Sequence, residues 1–210
     1  MALIRLPEKP EKKFRNRPKL LLHGTIPRPL HGVNPRSIMG KEWWDKERQA
    51  AYAYNNYHCH CCGVHKSEAK IFQWLEAHEI YKVEYDKYRM TYRGAVALCH
   101  CCHAVVHAGR TTQIYLNEKL STKKFMTILH HGQELLKKAK LETPIAFRFM
   151  ELVSEGKFVD EANEILRREY KETSPLDLSS WDKWRLYCHG KFHKPKHKSP
   201  EEWSEFYHGR

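Results

Sequence analysis

The sequence predicts an α+β fold: a zinc-stapled finger of two strands and a helix, embedded in mostly helical N- and C-terminal extensions. Three observations predict it. Two Cys-x-x-Cys pairs, Cys59 with Cys62 and Cys99 with Cys102, are separated by 36 residues, and this paired spacing brings four thiolates round a tetrahedral zinc. Between the pairs lies a segment whose residues alternate like those of half-buried strands. Directly after the second pair, His103 and His107 stand four residues apart, which puts them one above the other on a helix face.

Taken in order, residues 1–40 read as a basic, Pro-rich arm and wrap. The first 20 residues, rich in Pro, Lys and Arg, read as an extended or mobile basic arm. In LLLHGTIPRPLHGVNPRSIMG the repeated Gly and Pro forbid a long helix. This stretch is expected to wrap the molecule and to pack Leu20, Leu21, Leu22 and Leu30 on the core.

Residues 41–110 are the finger with a preceding helix. That helix is predicted from Lys41 to Tyr54, with Trp43, Trp44, Ala50, Ala51 and Tyr54 as its buried stripe. Its place is over the zinc module, so the two tryptophans read as core residues rather than base-stacking platforms. Gly63, just past Cys62, lets the chain turn sharply enough for amides to face the sulfurs. Cys61 and Cys101 fall outside the knuckle spacing and are expected to be non-ligands, although an exchange of ligands stays open at this level. Gln73 to Asp86 is predicted to be strand, with Trp74, Glu76, His78 and Ile80 on one side and Val83 and Tyr85 following a break. Residues 92–98 return as the second strand. Leu98 to Arg110 is then the second knuckle running into a short helix. A strand His78 beside the His103 and His107 pair can hold one divalent ion, which makes a second metal site distinct from the cysteines.

Residues 111–172 are expected to be a helical appendage. TTQIYLNEKLS reads as a connection, and Ser121 or Thr122 can cap a helix through Ala139 whose apolar face is Phe125, Ile128, Leu129, Leu135 and Leu136. Shorter helices are expected near Pro144 to Ser154 and Val159 to Tyr170, separated by Gly156. Residues 173–210 form a basic aromatic tail with Trp181, Trp184, Leu186, Phe192, Trp203 and Phe206. Such a tail suits nucleic-acid contact or hydrophobic docking equally. His189, His193 and His197 recur every four residues, but Pro195 interrupts any helix that would align them.

Bulk properties bound the function. The 210 residues are 41% apolar and 30% charged, with a mean hydropathy of -0.75. No run of about 18 apolar residues exists, and Pro and Glu occupy the first ten positions where a secretory signal needs an apolar stretch. A net charge of +12 suits a polyanionic partner. Six of seven cysteines fall in two tight clusters, which favours metal over disulfides and a reducing, cytoplasmic setting, native or that of a host cell.

The segment CHCCG, LEAHEIY and LCHCCHAVVH, from Cys59 to His107, resembles the HNH endonucleases of the ββα-metal (His-metal finger, treble-clef-like) group, especially those with a four-cysteine structural zinc. The flanking PLHGVNPRSIMGKEWWDKERQ and HAGR look similar to bacterial and phage HNH proteins. The resemblance covers about a quarter of the chain. It implies structural Zn²⁺ on Cys59, Cys62, Cys99 and Cys102, and a catalytic Mg²⁺, Mn²⁺, Ni²⁺ or Zn²⁺ on His78, His103 and His107. It further implies hydrolysis of DNA phosphodiester bonds, with duplex DNA gripped through its phosphates by residues such as Arg89, Arg93 and Arg110.

Two positions depart from the family pattern. LEAHEI replaces the usual strand end, so His78 stands at the metal position and Glu79 where the general-base histidine is expected. Gly94 stands where the base-orienting Asn belongs. Glu79 or His78 is therefore the expected activator of water. The alternative is a degenerate HNH-like protein that binds DNA without cutting it; an RNA-directed nuclease and a zinc module that recruits another protein are lesser readings.

Overall fold

The computed structural model describes residues 16–23, 26–170 and 178–208; of the arm expected over residues 1–20, residues 1–15 lie outside them. The chain folds as a mixed α+β structure in which a four-stranded sheet is embedded among helices. Pro18–Leu22 and Arg28–Leu30 are short 3-10 turns. Leu21 and Leu30 are buried as expected, but Leu22 is exposed, because a three-residue repeat can turn only one of three consecutive leucines fully inward.

Helix α1 (Pro35–Met39) starts at Asn34, whose side chain accepts from the Ser37 N–H while Ser37 returns the bond, a reciprocal cap that satisfies two otherwise orphaned donors. Helix α2 (Lys41–Tyr54) has the predicted limits. Trp44 and Ala51 pack with Ala77 and Ala95 of the sheet, whereas Ala50 is exposed, since it lies outside the arc that the two deepest contacts define.

The hairpin consists of β1 (Leu75–Glu84) and β2 (Arg89–Cys99), antiparallel, with His78 opposite Val96 and Leu75 opposite Cys99. Both strands are displaced from the predicted limits: Trp74 stays outside and is exposed, and the returning strand begins earlier. The register slips between Ile80 and Tyr81, leaving Arg93 unpaired beside Gly94 at φ 127°. This bulge needs a backbone conformation that an L side chain resists, which gives a physical reason for glycine at position 94.

After β2 the chain turns directly into α3 (His100–Val106), bends at His107 and continues as α4 (Ala108–Leu116). Helix α4 occupies most of the expected connection. Thr111 and Thr112 are tolerated there because their hydroxyls donate to the Ala104 and Ala108 carbonyls, each at 2.8 Å. Helices α5 (Thr122–Ala139, with Ser121 as N-cap), α6 (Ile145–Ser154) and α7 (Val159–Glu169) follow the predicted pattern. Phe125, Ile128, Leu129, Leu136, Phe147 and Met150 join Val105 and the knuckle cysteines in the main core.

Gly132 marks the tightest point of this core. A Cβ there would meet the Phe147 ring at 2.6 Å and the Val105 side chain at 2.9 Å. Gly132→Ala is expected to lower stability by about 1–2 kcal/mol, because overpacking costs about 1–3 kcal/mol and helix propensity returns at most about 1. Thermal melting checks this, and an unchanged or higher midpoint would refute the packing argument.

The tail adds what alternation could not reveal. Strand β3 (Arg185–Cys188) pairs parallel to β2 over Arg89, Met90 and Thr91, and β4 (Lys191–His193) closes the sheet antiparallel to β3. Trp184, Leu186 and Cys188 are buried against Leu30 and Met90. Trp181 is buried too, its indole donating to the His197 carbonyl at 2.7 Å. Helix α8 (Pro200–His208) ends the described chain. No helix among the described residues is long and apolar enough to cross a membrane.

Candidate metal centre

The β1–β2 hairpin and the turn into α3 bring two ligand groups together. Cys59, Cys62, Cys99 and Cys102 offer sulfurs that all lie within 4.8 Å of one another. The Cys62 and Cys99 sulfurs are 3.7 Å apart, close to the edge of about 3.8 Å that follows from zinc–sulfur bonds of 2.3 Å in a tetrahedron. Backbone bonds hold the first knuckle: Cys59 N–H donates to the Val64 carbonyl, and Gly63 N–H to the Cys59 carbonyl, both at 2.9 Å. His60 ties that knuckle to β2, its N–H donating to the Ala97 carbonyl at 2.8 Å and its Nδ1 accepting from the Ala97 N–H at 3.1 Å. The Cys62 thiol is driven far down by bonds from Cys102, Cys59 and Cys99, while Cys102 is driven up, first by Cys59. Four sulfurs packed this closely could hold a metal ion among them.

Cys61 and Cys101 stand outside this group. The Cys61 thiol points to the Pro18 carbonyl at 3.9 Å, and burial raises Cys101 to about 11, as expected of an inert core thiol. His131, on α5, was not legible as part of the centre. Its Nε2 lies 3.2 Å from the Cys102 sulfur, where an N–H would donate to the thiolate.

His78, His103 and His107 form the second group, again with ligand atoms within 4.8 Å of one another. Their ring centroids are 5.5 Å apart for His78 and His103, 5.0 Å for His78 and His107, and 4.8 Å for His103 and His107. His78 is 3% exposed, and neither of its ring nitrogens has a hydrogen-bond partner. Leaving a buried polar atom unpaired costs about 1–3 kcal/mol, and a coordinated cation removes that cost. The donor set of three imidazoles fits a divalent ion of the zinc, nickel or iron type. Burial, reinforced by His107, His103 and His23, lowers His78 to about 2, and burial with His103 and Arg110 lowers His107 to about 4. Both are neutral at physiological pH, the state in which imidazole binds metal.

Glu79 is not brought to this face. Strand alternation sends it to the opposite side from His78, where its charge, after burial, helps raise the Tyr81 hydroxyl. The wrap instead delivers His23, whose ring lies 5.1 Å from that of His78. Its Nε2 accepts the Tyr81 N–H at 3.2 Å, and burial keeps it neutral. Glu76, expected on the strand side of His78, is the other neighbour, within 2.6 Å of His100 Nδ1 and 2.5 Å of His103 Nδ1. Burial opposes its ionisation, but the bonds to His100 and His103 prevail and hold it at about 2. Of the three arginines expected on phosphates, Arg89 commits its guanidinium to Glu84 at 2.8 Å.

A pH prediction follows from the depressed histidines. Burial also lowers His60 to about 4. Below the unfolded value of about 6.5 the unfolded chain binds protons that His60, His78 and His107 refuse in the fold. Their contribution is therefore complete above about pH 6.5 and is lost as pH falls toward 4. Protonation of ligands holding a metal ion would add to the same trend. Melting temperature measured across this range is expected to fall steadily in acid; a flat profile down to pH 4 would contradict the burial of these rings.

No family model matches the chain, and neither does any curated protein or solved structure.

Proposed function

We propose that this chain is a metal-dependent endonuclease of the HNH type that hydrolyses DNA phosphodiester bonds, with zinc on the four cysteines and a divalent ion on His78, His103 and His107. One observation carries the reading: a buried His78 with two unpartnered ring nitrogens, facing two helix histidines beside a four-thiol group. An ion bound there supplies positive charge to the phosphoryl oxygens and the departing 3′-oxygen as negative charge develops. The three imidazoles hold it and leave room for substrate. His23 supports this role from the wrap: because its Nε2 accepts the Tyr81 N–H, the neutral ring carries its proton on Nδ1 and offers a donor for a phosphate oxygen. Arg93 and Arg110, with the net charge of +12, suit a duplex phosphate backbone and make binding salt-dependent.

Plasmid DNA tests the reading. After EDTA treatment, adding Mg²⁺, Mn²⁺, Ni²⁺ or Zn²⁺ is expected to restore nicking, leaving 5′-phosphate and 3′-hydroxyl ends. A salt-sensitive mobility shift with no product under any of these ions would favour the second reading, a DNA-binding protein without cleavage. That reading draws on the position of Glu79, on the far side of the strand from His78, and on Gly94 in place of the Asn.

A further inference from the structure

We propose that Glu76 is the positioning residue of the three-histidine site: it fixes the tautomer and orientation of His103 so that Nε2 is the atom presented to the metal. The inference rests on the metal-site reading given above and deepens it. Glu76 and His78 stand two residues apart on β1, so their side chains share one face of the strand. Opposite them, His100, His103 and His107 lie along α3 and its end at spacings of three and four, on one helix face. The result is a two-rung ladder. On one rung Glu76 meets His100 and His103; on the other His78 meets His103 and His107.

His103 belongs to both rungs, and the chemistry of the first decides its part in the second. A carboxylate can only accept, so the 2.5 Å contact from Glu76 Oε2 requires the proton of His103 to sit on Nδ1. The Nε2 lone pair is then the one left for coordination, and the negative partner raises its basicity. The other carboxylate oxygen takes the same bond from His100 Nδ1 at 2.6 Å. His100 is itself held edge-on by Phe72, with ring centroids 4.6 Å apart. Both oxygens are thus engaged, and the carboxylate cannot swing away to coordinate the ion itself without releasing the helix. His78 has no comparable partner on either nitrogen. Orientation of the cluster accordingly falls to the one ligand that Glu76 grips.

The test uses full-length protein with zinc on the cysteines and titrates Co²⁺ into the nitrogen site, followed by its visible absorption. Glu76→Ala is expected to weaken Co²⁺ uptake about 10–100-fold, the range for losing such a partner. Glu76→Gln, whose amide oxygen still accepts the Nδ1 proton but without charge, is expected to fall between. Two-dimensional NMR of the imidazole nitrogens gives a readout that packing alone would not move: the His103 Nδ1–H tautomer dominates in the wild type and in Glu76→Gln and is lost in Glu76→Ala. Wild-type affinity and an unchanged tautomer in Glu76→Ala would overturn the proposal while leaving the three-histidine site intact. A wild-type protein that takes no Co²⁺ on nitrogen ligands would overturn both.

Discussion

Cys99→Ala is expected to strip zinc from the protein and abolish its cooperative melting transition. The argument is one of magnitudes. A structural zinc site contributes about 10–16 kcal/mol of apparent binding free energy, whereas a folded domain is stable by only about 5–15 kcal/mol in total. Cys99 is also the last residue of β2, paired with Leu75, and the residue from which α3 departs. Its loss detaches the hairpin from the helix that carries His103 and His107. The informative control is Cys101→Ala. That side chain is as deeply buried but lies outside the ligand group, so its loss costs only the removal of one sulfur from the core, about 1–2 kcal/mol. Zinc content by mass spectrometry and a thermal melt separate the two variants. Retention of zinc and of the native transition in Cys99→Ala would refute the four-cysteine assignment.

The sequence made the local part of this architecture legible and concealed the part that depends on distant partners. The knuckles, the limits of α2 and the apolar face of α5 follow from spacing within one segment, where cysteine pairs and a 3.6-residue period speak directly. Strand β3 is four residues long and pairs parallel to β2 across nearly a hundred residues, so neither its length nor its pattern announces it. His23 fails for the same reason: its meeting with His78 is created by the path of the wrap, not by any periodicity. Glu76 was visible as a strand residue on the side of His78, but its grip on His100 and His103 depends on the angle at which α3 folds back on the sheet. The stretch from Thr111, which reads as a connection, is instead helical as far as Leu116, although it opens on two threonines. Their hydroxyls bond to carbonyls of the preceding turns, a tertiary and local solution that propensity does not register.

The double substitution His78→Ala with His103→Ala is expected to reduce DNA cleavage by about a thousandfold or more while sparing the zinc-bound fold. Each removed imidazole takes a ligand from a three-nitrogen set, and the remaining His107 cannot hold an ion alone against water. The charge that an ion places on the reacting phosphate is worth several kcal/mol of transition-state stabilisation, and each 1.36 kcal/mol is a factor of ten in rate. The fold is spared because His78 forms no hydrogen bond that its loss would break. Removing its unpaired ring nitrogens from the interior offsets part of the cavity left behind. His103 does release Glu76, yet His100 keeps its own bond to that carboxylate at 2.6 Å, so strand and helix stay joined. If the chain binds DNA as proposed, its affinity and salt dependence are expected to persist, since Lys and Arg side chains outside the cluster would supply the phosphate contacts. Cleavage at the wild-type rate in the double variant would place the chemistry outside this cluster. Loss of cleavage together with loss of zinc would instead make the histidines structural, so metal content must be measured on the same preparation that is assayed.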